Sequence, residues 1–480
     1  MLLVKQEPTK LRIVDFSDSD IEKLRKALTF KKKEIVYQIQ QLKKTRYFQV
    51  SRYGEEAFQN MLDKLNKDIN GCLLYEDDKG YYTLTGLQNR LENLFPAARF
   101  VDNVEYPEFK LIPWQKMPDK EPRYYQAEAI EKLLDNPLSH IEFATGAGKS
   151  LIILHLVKKT GLPSVVVTPS ASIGRQLYNE AIELFGKKNV GLFGDGKKEI
   201  GKKILISIAK SVAMVEEPEI LEQFKMYKVC ITDESHQVPS ELLSKSALNT
   251  LAHCPYRWFV SATQERNDGR DIMLEGIIGP KVHEKTINDL QNEGFLARIE
   301  TMVVNVTSKD KYSGSNTLKN NQHHFLYNKN ILSAITMFIQ EAISSQIPTL
   351  ILIDEKDQEL AIRNAVGNVY EFAHGGSDTT AIVDRFNSGE TLIVVGTSAV
   401  SVGTDFRPVR LTINWMANRS SVKVKQGAIG RSTRICTRTG KKDCKIIDFC
   451  VENVDILKRH VNDRIKLYKE VGPVSFMDWE

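Results

Sequence analysis

The chain has 480 residues, 42% hydrophobic and 26% charged, with a net charge of +5. That length suggests two to four domains of ordinary globular composition. So small an excess of positive charge excludes a histone-like polycation, though not local basic tracks.

No stretch approaches the roughly 18 consecutive apolar residues of a membrane span, and the opening Met1–Lys5 is too short and polar for a signal peptide. A cytoplasmic protein is expected. Cys72, Cys230, Cys254, Cys436, Cys444 and Cys450 form no C-x-x-C pair, so zinc is not expected. His323-His324 reads as loop, without a metal role.

Residues 1–115 carry basic clusters, Lys31-Lys32-Lys33 and Lys43-Lys44-Thr45-Arg46, interleaved with Phe30, Tyr37, Tyr47, Phe48 and Tyr53. This reads as a small α+β accessory domain that binds DNA. Two readings of the aromatics stay open: stacking on bases, or forming the small core of the domain. The lysines favour contact with duplex arms. Pro107, Pro113, Pro118 and Pro122 then suggest a linker.

From about residue 123, short apolar runs alternate with amphipathic stretches. Strands are expected at 141–143, 165–168, 204–207, 229–232 and 258–261. A second set is expected at 349–353, 369–372, 392–395, 411–415 and 445–448. Apolar runs separated by helices imply parallel sheets covered on both faces. Two sets in series imply two doubly wound α/β domains, at 116–300 and 301–480. Val454, Leu457, Val461, Ile465 and Tyr468 stand at helical spacing and predict a closing helix.

The first strand runs into Ala144-Thr145-Gly146-Ala147-Gly148-Lys149-Ser150 and then an apolar helix. That is the order a phosphate-binding loop requires. Glycines let backbone N–H groups turn inward, and the helix N-terminus adds partial positive charge. Lys149 would reach the β/γ-phosphates and the Ser150 hydroxyl would ligate Mg²⁺. Phe143 stands where the general pattern has its first glycine.

Asp233-Glu234-Ser235-His236 follows a buried strand, at the edge where open α/β sheets bind ligands. Asp233 could hold Mg²⁺ through water, and Glu234 could deprotonate an attacking water. A solvated strand-end turn is the bland alternative. In Gln426-Gly427-Ala428-Ile429-Gly430-Arg431-Ser432-Thr433-Arg434, the two arginines three apart would share a helix face and could act as arginine fingers. The alternative is a basic surface running from Arg419 to Lys445.

Read in order, these segments resemble superfamily 2 helicases of the DExH type, and most closely the bacteriophage UvsW-like branch-migration DNA helicases. The resemblance covers about residues 123–450. Arg123-Tyr124-Tyr125-Gln126 looks like the adenine-reading Q element, with Arg123 and Gln126 as contacts. The loop through Thr145, Gly146, Ala147, Gly148, Lys149 and Ser150 is similar to motif I, and Asp233–His236 to motif II. Thr168-Pro169 with Gln176 looks like motif Ia, and Ser207 with Ser211 like motif Ic. Ser261-Ala262-Thr263 resembles motif III, which with His236 would couple hydrolysis to movement. Thr397 through Gly403-Thr404-Asp405 looks like motif V, with Gly403 and Asp405 near nucleotide, and Gln426–Arg434 like motif VI.

The resemblance implies two RecA-like domains that use ATP and Mg²⁺. Lys149, Asp233, Glu234, Gln426, Arg431 and Arg434 would be catalytic. Thr168, Pro169, Ser207, Thr397, Lys31, Lys32, Lys33, Lys43, Lys44 and Arg46 would contact nucleic acid. The implied activity is ATP-dependent unwinding or branch migration of forked and four-way-junction DNA in recombination, replication or repair. Recombination or replication proteins would be partners, in the host cytoplasm if the gene is viral. Motif II and Gln426 count against a DEAD-box RNA helicase. A duplex translocase without strand separation is the alternative, and an RNA helicase a third reading.

Overall fold

The computed structural model describes residues 1–111, 121–235, 238, 240–262, 271–309, 317–397, 406–417 and 424–479. It divides into two compact units. Residues 1–143 group with 148–284, and residues 144–147 group with 285–480.

The first unit is built on an eight-stranded sheet. Its strand order is Lys197–Lys198, Val190–Gly194, Ile204–Ile208, Ser164–Thr168, Val229–Asp233, Tyr256–Ser261, Leu138–Phe143 and Lys281–Lys285. From Val190–Gly194 to Leu138–Phe143 every pairing is parallel. Ser164–Thr168 and Val229–Asp233 are buried at every position, as sheets covered on both faces require.

All five strands expected in this region are present. Val190–Gly194, Lys197–Lys198 and Lys281–Lys285 were not expected. They form a hairpin turning at Asp195-Gly196, where both residues have positive φ, and an outer strand.

A five-stranded sheet precedes it, ordered Tyr75–Asp77, Gly80–Leu84, Lys10–Val14, Leu2–Glu7, Arg99–Asp102. This sheet does not stand apart. Leu3, Leu11, Ile13, Leu84, Leu87 and Leu91 join Phe259, Leu274, Ile277 and Ile278 in one core. A Cβ on Gly86 would lie 2.3 Å from the Glu275 carbonyl oxygen, so only glycine allows that approach. Arg90 pairs with Glu275 at 2.7 Å, and the buried Arg257 guanidinium donates to the Pro8 carbonyl.

The proline-rich stretch holds to the same unit where it is described. Tyr106 and Phe109 pack on the Tyr256 ring, and Lys110 N–H donates to the Thr160 carbonyl at 2.7 Å. Pro113 and Pro118 lie outside the described residues.

The second unit holds a seven-stranded parallel sheet. Its order is Glu371–Ala373, Ile393–Gly396, Thr349–Ile353, Leu411–Trp415, Asp443–Val451, Arg298–Val306, Val474–Asp478. The five expected strands are found, although the one expected at 369–372 begins two residues later. Arg298–Val306 and Val474–Asp478 were missed. The closing helix is Asp455–Lys469, with Leu457, Val461, Ile465 and Tyr468 buried as its spacing predicts. No helix among the described residues is long and apolar enough to cross a membrane.

Candidate nucleotide and nucleic-acid site

The strand Leu138–Phe143 and the helix Lys149–Thr160 bracket the phosphate-loop sequence. Gly146 and Gly148 have φ of +88° and +79°, which L side chains rarely adopt, so the loop needs glycine at both positions. Ala147 is buried and donates its N–H to the Ala144 carbonyl at 3.1 Å. Thr145 and Ser150 are half-buried.

Lys149 is buried at the first turn of its helix. Its ammonium donates to the Phe143 carbonyl at 3.1 Å and pairs with Glu234 Oε1 at 3.0 Å. Two segments about 85 positions apart in sequence thus meet at one carboxyl edge of the sheet.

Glu234 adopts φ +45°, a costly conformation for a non-glycine residue, directly after the strand Val229–Asp233. Asp233 is 4% exposed, and its Oδ1 has no hydrogen-bond partner among the described residues. Burial, followed by the neighbouring Glu234 charge, pushes the Asp233 carboxyl well above the usual range, while Lys149 opposes the shift. A buried carboxylate oxygen with no donor facing it suits a cation, so Asp233 with Ser150 fits the Mg²⁺ expected here.

Gln126 caps its own helix, Tyr124–Asp135. It accepts from Arg123 N–H at 2.8 Å, while its amide group donates to the Gly148 carbonyl at 3.4 Å. Arg123 is exposed and donates to the Tyr125 hydroxyl at 3.1 Å. The Q-element residues therefore lie against the phosphate loop, and Gln126 ties one to the other.

The expected nucleic-acid residues divide. Thr168 and Ser207 are fully buried. Thr168 Oγ1 donates to the Ser207 carbonyl and Ser207 Oγ to the Val166 carbonyl, both at 3.0 Å. Their hydroxyls bind the adjacent strand and do not face solvent. Pro169 is half-buried. Arg175, paired with Asp195, and Lys197, whose ammonium lies 5.5 Å from the Tyr178 ring centroid, are exposed cations of this unit. Neither was singled out in the sequence, although the Asp-Gly dipeptide of the hairpin turn was available as a signal.

Lys31, Lys43, Lys44 and Arg46 are exposed and Lys32 is half-buried, whereas the side chain of Lys33 lies outside the described residues. Arg46 pairs with Glu55 at 2.9 Å. In the second unit, Thr397 is half-buried and donates its N–H to the Ala373 carbonyl at 3.1 Å.

The motif VI segment forms a π-helical stretch, Val424–Ile429, and a single α-turn, Gly430–Ser432. Arg431 is buried within that turn, while Arg434 follows it and is half-buried. The uninterrupted helix face expected to carry both arginines is therefore absent. Ser261 is fully buried at the end of its strand. Thr263, His236, Gly403, Asp405 and the Gln426 side chain lie outside the described residues.

Residues 119–266 match the family model described as type III restriction enzyme, res subunit. The DNA 3'-5' translocase XPB2 of Sulfurisphaera tokodaii is 29% identical over 203 residues, 42% of this chain and 44% of the relative. This chain spans about half the length of the curated relatives it matches.

Among solved structures, a fragment described as the HsdR subunit of a type I restriction enzyme from Vibrio vulnificus YJ016 aligns with a TM-score of 0.55. It is 18% identical and covers 74% of this chain and 69% of that one. The crystal structure of T4 UvsW covers 100% of this chain and 99% of that chain at 15% identity, with a TM-score of 0.43. The likeness thus extends to a DNA translocase and to restriction-enzyme subunits, and UvsW-like proteins are not singled out. The chain has a tandem RecA-like α/β fold, and its residues 119–266 are similar to the type III restriction enzyme res subunit.

Proposed function

We propose that the chain is an ATP-driven DNA motor of superfamily 2 that unwinds or branch-migrates forked and four-way-junction DNA. The observation that carries the motor reading is the meeting of Lys149, Asp233 and Glu234 at one sheet edge, with Lys149 and Glu234 3.0 Å apart.

Without nucleotide, the Lys149 ammonium is neutralised by Glu234. A polyphosphate in the loop competes for that ammonium, and drawing Lys149 onto phosphate releases Glu234 to orient and deprotonate water. Ser150 and Asp233 would hold Mg²⁺, which would supply charge neutralisation at the phosphates. Arg123, Gln126 and the loop Thr145–Gly148 hold the nucleotide. Gln426, Arg431 and Arg434, with Gly403 and Asp405, are proposed to complete the catalytic set, and His236, Ser261 and Thr263 to couple it to DNA. Residues 1–115 are proposed as the accessory DNA-binding domain, with 116–300 and 301–480 as the two RecA-like domains.

A translocase without strand separation is the second reading, favoured by the name of the Sulfurisphaera tokodaii relative. That name also supports 3'-to-5' movement here. The test is ATP hydrolysis stimulated by single-stranded DNA, duplex, fork, four-way junction and RNA, with Glu234→Gln as control. Strongest stimulation by branched DNA, abolished in the control, is expected. Equal stimulation by plain duplex would favour the translocase, and stimulation by RNA alone would overturn both DNA readings.

A further inference from the structure

Residues 31–53 hold seven basic side chains and one acidic one. They belong to a lobe of three helices, Lys33–Lys44, Arg46–Tyr53 and Glu55–Asp68, inserted between the paired strands Thr29–Lys31 and Asn70–Cys72. The third helix carries four acids against two lysines. Positive charge therefore concentrates on the first two helices.

The sequence left open whether the aromatics form the core here: Phe30 packs against the core of the first unit, whereas the other four do not. The apolar residues buried in the lobe are Ile39 and Phe58. Tyr47 is 92% exposed, Tyr37 61%, Phe48 59% and Tyr53 49%. Four exposed rings within 17 positions, two of them adjacent in sequence, are an unusual density of exposed apolar side chains, and exposed apolar surface marks interaction sites. Lys43 and Lys44, beside Tyr47 and Phe48 in sequence, form no ion pair among the described residues and are exposed.

We propose that this lobe is a stacking platform for unpaired DNA bases, with Tyr47 and Phe48 as stacking rings and Lys43 and Lys44 holding the adjoining phosphates. The proposal rests on the DNA-motor reading and adds to it what the lobe recognises. Cations alone would grip any duplex. An exposed ring adds affinity only where a base face is open, because bases inside a duplex are already stacked on each other. A branch point supplies such bases. The acidic third helix repels the backbone and turns the strand toward the first two helices.

The test is binding of the full chain, without nucleotide, to a labelled single strand, a fork with unpaired arms and a blunt duplex. Tyr47→Ala with Phe48→Ala is expected to weaken single-strand and fork binding about tenfold and to leave blunt duplex unchanged. Tyr47→Trp with Phe48→Trp should restore affinity, with indole fluorescence quenched by the strand. Lys43→Ala with Lys44→Ala should weaken all three substrates and flatten the salt dependence.

Unchanged fork affinity in the alanine pair overturns the proposal and makes the rings a protein-docking surface. Equal loss on blunt duplex overturns it too, because the rings would then act without an open base. ATP hydrolysis separates the two readings. If the alanine pair binds as expected but no DNA stimulates hydrolysis in the wild type, the motor reading fails alone. If DNA stimulates hydrolysis and the alanine pair binds normally, the stacking proposal fails alone.

Discussion

Asp448 and Arg464 are buried side by side in the second unit, their side chains 0% and 1% exposed. Arg464 grips both carboxylate oxygens, at 2.7 and 2.8 Å, and the Tyr468 hydroxyl donates to the same group at 2.8 Å. Burial, then the Asp448 charge, pushes the Tyr468 phenol far up, so it remains a donor throughout the working range. Desolvating two charges offsets most of their attraction, so the pair gives little net stability over an apolar pair. Removing one partner is different, because the other charge stays buried and uncompensated. Arg464→Leu is expected to cost about 3–5 kcal/mol, read from chemical denaturation, and Asp448→Leu in the same chain should recover much of that loss. The exposed Arg46–Glu55 pair makes a single contact at 2.9 Å, and breaking it should cost under about 1 kcal/mol.

At the scale of the element, the helix Lys149–Thr160 depends on how it begins. A Cβ on Gly148 would stand 2.3 Å from Gln126 Nε2, the far end of a flexible side chain that can move aside. The left-handed φ cannot be relieved in that way, and it costs an L-residue about 1–2 kcal/mol. Gly148→Ala should therefore keep the fold, by circular dichroism, and lower affinity for a fluorescent ATP analogue at least tenfold.

That loop was legible because glycine, lysine and serine between an apolar strand and an apolar helix have few other uses, and Asp233-Glu234 likewise ends an apolar run. Thr168 and Ser207 were less legible. Where a strand-end hydroxyl points depends on the neighbouring strand's register, here Ile208 opposite Thr168, which no local pattern encodes. The missed strands have the same explanation in another form. Arg298–Val306 is interrupted by Arg298, Glu300, Thr301 and Asn305 instead of running apolar throughout, and Val190–Gly194 carries two glycines.

Across the molecule, the sequence suggested an N-terminal region joined by a linker, whereas the structure gives that region a core shared with the first α/β sheet. Leu274, Ile277 and Ile278 are covered by Leu84, Leu87 and their neighbours, and full burial of each such side chain contributes about 1.5–3 kcal/mol. Arg257 would lose the Pro8 carbonyl as well. A chain starting at residue 106 should therefore aggregate or melt well below the full-length protein.

The three-helix lobe is joined differently. Lys32 N–H donates to the Ile69 carbonyl at 2.8 Å, so the two ends of the lobe are already adjacent. Replacing residues 33–68 by a short Gly-Ser turn should leave the melting temperature of the remainder nearly unchanged and ATP hydrolysis without DNA intact. Size-exclusion chromatography and thermal melting of the two deletions check the contrast. If the chain starting at residue 106 were monodisperse and melted like the full-length protein, the shared core would contribute nothing, and the N-terminal sheet would be an attachment to the motor instead of part of its fold.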